Sequence, residues 1–190
     1  MRQLTNLLVS ILLPVCAMVT LSAQPAETPS AAAAKVPGFR DLFLNQLKDV
    51  ETKVVGLAEA MPQEKYAWRP GEGVRSVSEV YVHIAFANYY LPNFIGVKPP
   101  QGTSPGMEKT VTEKAKVVET LKASFAHMRK AVTDLPDADL DKPVKVFGQQ
   151  SSYEGVLFLI ANHMHEHLGQ SIAYARTNGV VPPWSKKGGD

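Results

Sequence analysis

Four long segments of this chain repeat apolar residues every three or four positions, which is the spacing of one face of an α-helix. The first segment runs from about Phe39 to Met61 and is closed by Pro62. No strand pair is evident between the segments, and 143–147 is at most a short extended piece. Such a chain buries its apolar faces as an all-α four-helix bundle. The periodic positions of the first helix are Phe43, Leu47, Val50, Val54 and Leu57.

Three Ser/Thr-x-x-Glu sequences mark the starts of the later helices, because each can form a capping box that satisfies two backbone N–H groups. The second helix is predicted to run to about Ile95 and the third to about Leu135. The fourth should end at Asn178-Gly179, where glycine accepts the left-handed conformation of a helix C-terminus. The predicted boxes are Ser76 with Glu79, Thr110 with Glu113, and Ser151 with Glu154. The predicted core face of the third helix is Val111, Val118, Leu121, Phe125, Met128 and Val132.

The N-terminus has the pattern of a secretory signal peptide, with Arg2, an apolar run and small residues ending at Ala23. Pro14 interrupts the run and no stop-transfer charges follow, so we expect cleavage and no stable membrane span afterwards. The predicted organisation is a signal peptide over 1–23, a flexible linker over 24–35, the bundle over 36–184 and a polar tail over 185–190. We therefore expect an exported protein, periplasmic or secreted.

The composition restricts which partners and which metal ligands this chain can use. The 190 residues carry a formal charge of +2 with no basic stripe, which argues against nucleic acid as a partner. Cys16 is the only cysteine and lies inside the predicted signal peptide. The mature domain would then have no disulfide, no cysteine nucleophile and no thiolate ligand. Any metal chemistry must rest on imidazole and carboxylate groups.

Three of the five histidines fall within 163–167. At about 100° per residue, His163 and His167 lie about 40° apart on one helix face, and this spacing lets two imidazoles chelate a divalent cation. The same face is apolar at the start of the helix, so we expect the pair inside the bundle, where buried imidazoles need partners. His165 points about 200° away and is predicted to lie at the surface.

A third ligand must come from another helix. His83 lies about two turns into the second helix, but its position alone does not distinguish a ligand from an ordinary core histidine. His127 is the competitor, and it lies about 120° from the apolar face of the third helix, which predicts a solvent-facing side chain. The residues by themselves leave the third ligand open.

Ser76-Val77-Ser78-Glu79-Val80-Tyr81-Val82-His83 resembles the region around the first metal histidine of DinB/YfiT-like proteins. His163-Met164-His165-Glu166-His167-Leu168-Gly169-Gln170 resembles the second motif, and Trp68-Arg69-Pro70 resembles the loop before the second helix. The resemblance spans about 39–179 and implies a four-helix bundle that binds one divalent metal ion through His83, His163 and His167. Family members often carry His and Arg where this chain has Glu166 and Leu168.

Three histidines with an open coordination position are typical of a catalytic metal site, in which the cation lowers the pKa of a bound water or thiol. Zinc or nickel suits such an imidazole set. Glu166 lies about 60° from His163, and Gln170 shares the ligand face one turn on. Either side chain is a candidate to orient a ring or a metal-bound water. The alternatives are a solvent-facing Glu166 and a Gln170 bonded within the core.

Two functions remain open. One is a metal-dependent hydrolase or transferase acting on an unknown small molecule, with no catalytic residue assigned. The resemblance implies a thiol-dependent transferase, whereas export argues against that reaction because low-molecular-weight thiols are cytoplasmic. The other is a non-catalytic metal-binding or interaction bundle, with a homodimer as one form. An accessible cavity at the fourth coordination position favours the enzyme, whereas a fourth position blocked by protein atoms favours the non-catalytic metal-binding bundle.

Overall fold

The computed structural model describes residues 36–185, which form five α-helices and a β-hairpin. The predicted signal peptide, the linker and the tail beyond Ser185 lie outside the described residues. No helix within 36–185 is long and apolar enough to cross a membrane. The helices are α1 Phe39–Ala60, α2 Val77–Tyr90, α3 Met107–Thr110, α4 Lys114–Thr133 and α5 Tyr153–Thr177, and the strands are β1 Pro143–Val146 and β2 Gln149–Ser152.

The four long helices pack around one core, as the periodicity predicts. Helices α1 and α2 each contact both α4 and α5, and the buried side chains form one continuous hydrophobic cluster. Burying a large apolar side chain contributes roughly 1.5–3 kcal/mol to stability, so this cluster is the main favourable contribution to folding. Its fully buried members include Leu47, Leu57, Ile84, Leu121, Phe125 and Ile160.

The start of α2 confirms the first predicted capping box. The Ser76 hydroxyl accepts a hydrogen bond from the Glu79 N–H at 3.3 Å, and the Ser76 N–H donates to the Glu79 carboxylate at 2.7 Å. The helix ends at Tyr90, however, and not near Ile95. Pro92 has no N–H to continue the α-helical ladder, so 91–95 tightens into a 3₁₀ turn that ends at Gly96, which has a φ of 87°.

The predicted box at Thr110 and Glu113 is wrong. Thr110 ends the short helix α3, and α4 begins after Glu113 without a side-chain cap from that residue. The Lys114 N–H instead donates to the Gln63 amide oxygen at 2.6 Å, a partner that is distant in sequence and invisible to a local motif. In the predicted core face, Leu121, Phe125, Met128 and Val132 are buried, whereas Val111 and Val118 are only partly buried and Val117 is buried in their place.

The start of α5 is displaced by one residue from the predicted box. Ser152, not Ser151, caps the helix by accepting from the Gly155 N–H at 3.1 Å. The reason is that 149–152 belongs to β2, which pairs antiparallel with β1 and makes the extended piece at 143–147 part of a hairpin. The predicted helix end is confirmed, since α5 closes at Asn178 and Gly179 has a φ of 75°.

Candidate metal centre

Three histidine side chains meet between α2 and α5. His83, His163 and His167 each offer one ring nitrogen, and these nitrogens all lie within 4.8 Å of one another. The His83 Nε2 and His163 Nε2 atoms are 3.1 Å apart. The ring centroids are separated by 4.5 to 5.0 Å. The structure thus brings together the three residues that the resemblance implies as ligands.

The local sequence explains how α5 presents two of these rings. One turn of helix separates His163 from His167, and the apolar residues Val156 and Ile160 hold the same face against the core. His167 is itself buried, whereas His163 is partly exposed. The pair therefore lies where the buried face of α5 reaches the edge of the core.

His83 is held by a residue that the sequence did not reveal. Its Nδ1 lies 2.7 Å from Oε1 of Glu108 on the short helix α3. The second carboxylate oxygen of Glu108 accepts from Nε of Arg75, also at 2.7 Å. A carboxylate only accepts, so His83 donates from Nδ1 and its Nε2 lone pair faces the other two histidines. This carboxylate–imidazole pair is the usual support of a metal-binding histidine.

His167 is held in the same way by Gln170. Its Nδ1 lies 2.8 Å from the Gln170 amide oxygen, and the Gln170 amide nitrogen donates to the Tyr174 hydroxyl at 3.0 Å. The Tyr174 hydroxyl in turn donates to the Arg75 carbonyl at 3.1 Å. The prediction that Gln170 orients a ring therefore has a geometric basis, and the His167 Nε2 lone pair is left free. Glu166 is exposed, which agrees with its plain surface interpretation.

Burial keeps His163 and His83 in their neutral form, because it lowers the pKa of both imidazoles. Desolvation, the neighbouring His167 and His83, and Arg75 together lower the pKa of His163 to about 3. Desolvation also lowers the pKa of His83, although its hydrogen bond to Glu108 opposes the shift. Burial raises the pKa of Glu108, but its bonds to Arg75 and His83 outweigh that effect and lower it. Two neutral imidazoles, His83 and His163, beside the ionised Glu108 carboxylate suit a divalent cation.

One atom of the cluster lacks a protein partner. His163 Nδ1 is buried and accepts or donates no hydrogen bond among the described residues. When His163 Nε2 donates to His83 Nε2, this atom is an unsatisfied acceptor, which is costly in a buried site. A cation held by the Nε2 atoms would require the His163 proton to lie on Nδ1, so the unpaired atom does not itself point to a metal, whereas the convergence of the three rings does.

The other two histidines stay outside the cluster. His165 is exposed as predicted, and its Nδ1 lies 2.8 Å from the Ala161 carbonyl oxygen. His127 is not solvent-facing as predicted, because it is partly buried and its ring lies edge-on to Tyr89. His127 lies about 120° from the apolar face of its own helix, but Tyr89 of α2 covers it there. A helical projection of one segment does not include contacts from another helix.

An open cavity of about 330 Å³ lies beside the cluster, with His83 and His163 in its lining. The remaining lining is Phe86, Ala87, Tyr90, Leu91, Phe147 and Leu159. A second cleft of about 360 Å³ includes Glu79 and Glu108 but none of the three histidines. The apolar cavity therefore leaves two of the candidate ligands, His83 and His163, accessible from one side.

Comparisons with known proteins agree with this architecture. The family model described as the DinB superfamily matches residues 46–171. A DinB-like protein from Bacillus cereus is 19% identical, with a TM-score of 0.67 over 75% of this chain and 95% of that one. A DinB-like protein from Bacillus subtilis is 20% identical, with a TM-score of 0.60 over 74% and 93%. A conserved protein from Enterococcus faecalis is 15% identical, with a TM-score of 0.63 over 74% and 97%. No curated protein matches the sequence significantly.

Proposed function

The chain belongs to the DinB superfamily, and from this premise we propose that it binds one divalent metal ion through His83, His163 and His167 and acts on a small molecule as a metal-dependent enzyme. The observation that carries the proposal is the fixed orientation of two rings. Glu108 and Gln170 engage Nδ1 of His83 and His167, which leaves both Nε2 lone pairs directed into one shared space. Zinc or nickel suits this donor set best.

A bound divalent cation supplies Lewis acidity to the group that occupies its remaining coordination position. The protein contributes the arrangement around it. Glu108 and Gln170 fix the imidazoles, and Arg75 holds Glu108 in its ionised form. The cavity beside His83 and His163 leaves one side of the cluster accessible, which supports an enzyme over a closed structural site. Hydrolysis and group transfer both remain compatible with this arrangement.

One observation favours the alternative, a non-catalytic metal-binding or interaction bundle. Within residues 36–185, the carboxylate that contacts the cluster is Glu108, and both of its oxygens are already engaged. A general base must lie within reach of the substrate, and Glu108 does not line the cavity beside His83 and His163. In the enzyme that we propose, proton transfer would therefore depend on the substrate or on solvent in the cavity.

Metal analysis of protein purified without an affinity tag tests the binding step. We expect about one equivalent of metal in the wild type, less than about a tenth in His167→Ala, and wild-type loading in the exposed control His165→Ala. Equal loading of all three proteins would contradict the three-histidine site. Turnover of a panel of esters, amides and thiol acceptors tests the enzyme, and it should vanish in His167→Ala but not in His165→Ala. A fully loaded protein without turnover would favour the binding bundle.

Export is the remaining part of the proposal, and it rests on the N-terminal sequence pattern. Fractionation of cells that express the full chain should recover a shortened protein in the periplasm or the medium. A full-length protein in the cytoplasm would overturn export and would restore thiol-dependent transfer as a candidate reaction.

A further inference from the structure

We infer that the cavity beside the histidine cluster binds the flat, uncharged, apolar part of a small molecule whose polar end faces His83 and His163. This inference rests on the proposed function, because it names the substrate class of the same site.

The cavity walls contain no charged side chain. Apart from the two histidines, the lining consists of aliphatic and aromatic residues from α2, α5 and the segments next to them. A charged or strongly polar group placed there would lose its hydration without finding a partner, whereas an apolar group would gain from leaving water. The volume of about 330 Å³ lies in the range of small-molecule sites.

Aromatic rings form much of the wall and fix its shape. Phe86 stacks on Tyr90 with ring centroids 5.5 Å apart and an interplanar angle of 15°. Tyr90 meets Phe94 edge-on at 5.9 Å, and Phe94 meets Phe147 edge-on at 5.2 Å. Such a chain of rings offers both faces and edges to a planar ligand, which favours an aromatic or otherwise flat body over a branched aliphatic one.

Phe147 is placed in the cavity by an unfavourable turn. It occupies the first position of the two-residue turn between β1 and β2, with a φ of 48°, and Gly148 follows with a φ of 83°. Turns with positive φ at both positions prefer Asn, Asp or Gly, and a bulky residue in the left-handed region is disfavoured. The side chain is also 67% exposed, so core packing does not explain it. Contact with a ligand in the cavity would explain why a phenylalanine occupies this position of the turn.

The polar end of the ligand follows from the two histidines in the same lining. Three residues of the lining carry a polar group, His83, His163 and Tyr90, and of these only the two histidines belong to the proposed metal site. A ligand that lies in the cavity therefore directs its one donor group, such as a carbonyl, hydroxamate or ester oxygen, toward the cluster. The remainder of the molecule contacts Phe86, Phe147 and Leu159.

A neutral fluorescent dye, N-phenyl-1-naphthylamine, tests the cavity separately from the metal. The metal-stripped full chain should bind the dye with increased emission, and Phe147→Ser should weaken binding about five- to tenfold. Phe158→Ser is the matched control, since Phe158 is 61% exposed on α5 but does not line the cavity, and it should change binding less than about twofold. No binding by the wild type, or equal loss in both variants, would overturn the inference whether or not the protein binds metal.

A pair of metal-binding probes tests the link to the cluster. Zinc-loaded protein should bind benzohydroxamate at least about tenfold more tightly than acetohydroxamate, and Phe147→Ser should reduce this preference to about twofold. Equal affinities in the wild type would contradict the inference. A second copy of the chain covering the cavity would instead give a dimer in sedimentation velocity that Phe147→Ser dissociates, and this result would also overturn it. If the protein binds the dye but no zinc, the apolar cavity is supported and the proposed metal site is rejected.

Discussion

The imidazole of His83 and the carboxylate of Glu108 lie 2.7 Å apart, although 25 residues and an irregular loop separate them in the sequence. The short helix α3 brings Glu108 to this position, and Arg75 holds its second oxygen. Because Glu108 accepts from Nδ1, it fixes the tautomer that presents the His83 Nε2 lone pair to the other histidines. A side chain outside the predicted helices therefore determines which ring atom of His83 is available to a metal.

Removal of Glu108 should weaken metal binding without abolishing it. We expect Glu108→Ala to lower zinc affinity about 10- to 100-fold, because His83 loses the partner that orients its ring. Glu108→Gln keeps an acceptor and should lose less. Competition with a coloured chelator measures both affinities, with the exposed Glu113→Gln as the control. Wild-type affinity in Glu108→Ala would show that the bond is incidental.

Gln170 and Glu166 should differ sharply, although both were candidates to support the metal site. Gln170→Ala removes the acceptor of the His167 Nδ1 hydrogen and breaks the connection to Tyr174, so we expect about a tenfold loss of zinc affinity. Glu166→Ala changes an exposed side chain and should leave affinity within about twofold. The same chelator competition compares the two variants. A larger loss in Glu166→Ala than in Gln170→Ala would reverse the assignment.

Metal removal should lower the melting temperature. The three ligands join α2 to α5, so a cation that binds only the folded state stabilises the packing of these helices in proportion to its affinity. We expect a fall of several degrees on treatment with a chelator, restored by zinc. Differential scanning calorimetry should show this fall in the wild type and in His165→Ala. His83→Ala should melt at the same temperature with and without chelator.

Glu79 makes stability depend on acid pH. Burial raises the pKa of this 5% exposed carboxyl, but the hydrogen bonds from Lys109 and the Ser76 N–H and the charges of Arg69 and Lys109 outweigh burial. The folded-state pKa is about 2, below the ordinary value of 4.5. A carboxyl whose pKa is lowered on folding stabilises the protein above its unfolded pKa, and this contribution is lost as the pH falls from about 4.5 toward 2.

Urea unfolding of metal-free protein at several pH values measures this contribution. Glu79→Gln should be about 1–3 kcal/mol less stable than the wild type at pH 7, and the difference should shrink as the pH falls below 4.5. Glu119→Gln is the control, because the exposed pair of Glu119 with Lys116 should contribute less than about 1 kcal/mol. A Glu79→Gln difference that is constant from pH 7 to pH 3 would contradict the assigned titration.

The parts of the fold that local sequence determines were predictable. Helical periodicity located the four long helices, and the Ser76 box fixed the start of α2 because both partners lie within one turn. The starts of α4 and α5 were predicted incorrectly because their caps depend on tertiary structure. Gln63 reaches Lys114 across the molecule, and β2 displaces the cap of α5 to Ser152.

The hairpin itself lacked a recognisable signal. Its second strand, Gln149–Ser152, contains no β-branched or apolar residue, and its turn begins with Phe147 in place of the usual Asn or Asp. The residues of the candidate metal site also differ in whether local sequence predicts them. His163 and His167 share one helix face by spacing alone, whereas His83 needed the family resemblance and Glu108 depends on how α3 packs against α2. Periodicity does not describe contacts between helices.

X-ray absorption at the zinc edge of the loaded, tag-free protein tests the central claim most directly. We expect a first shell with three imidazole nitrogens at about 2.0–2.1 Å and one further oxygen or nitrogen ligand. The imidazole count should fall by one in His83→Ala wherever that variant retains zinc. A shell of oxygens alone, or an imidazole count unchanged by His83→Ala, would contradict a site built from His83, His163 and His167.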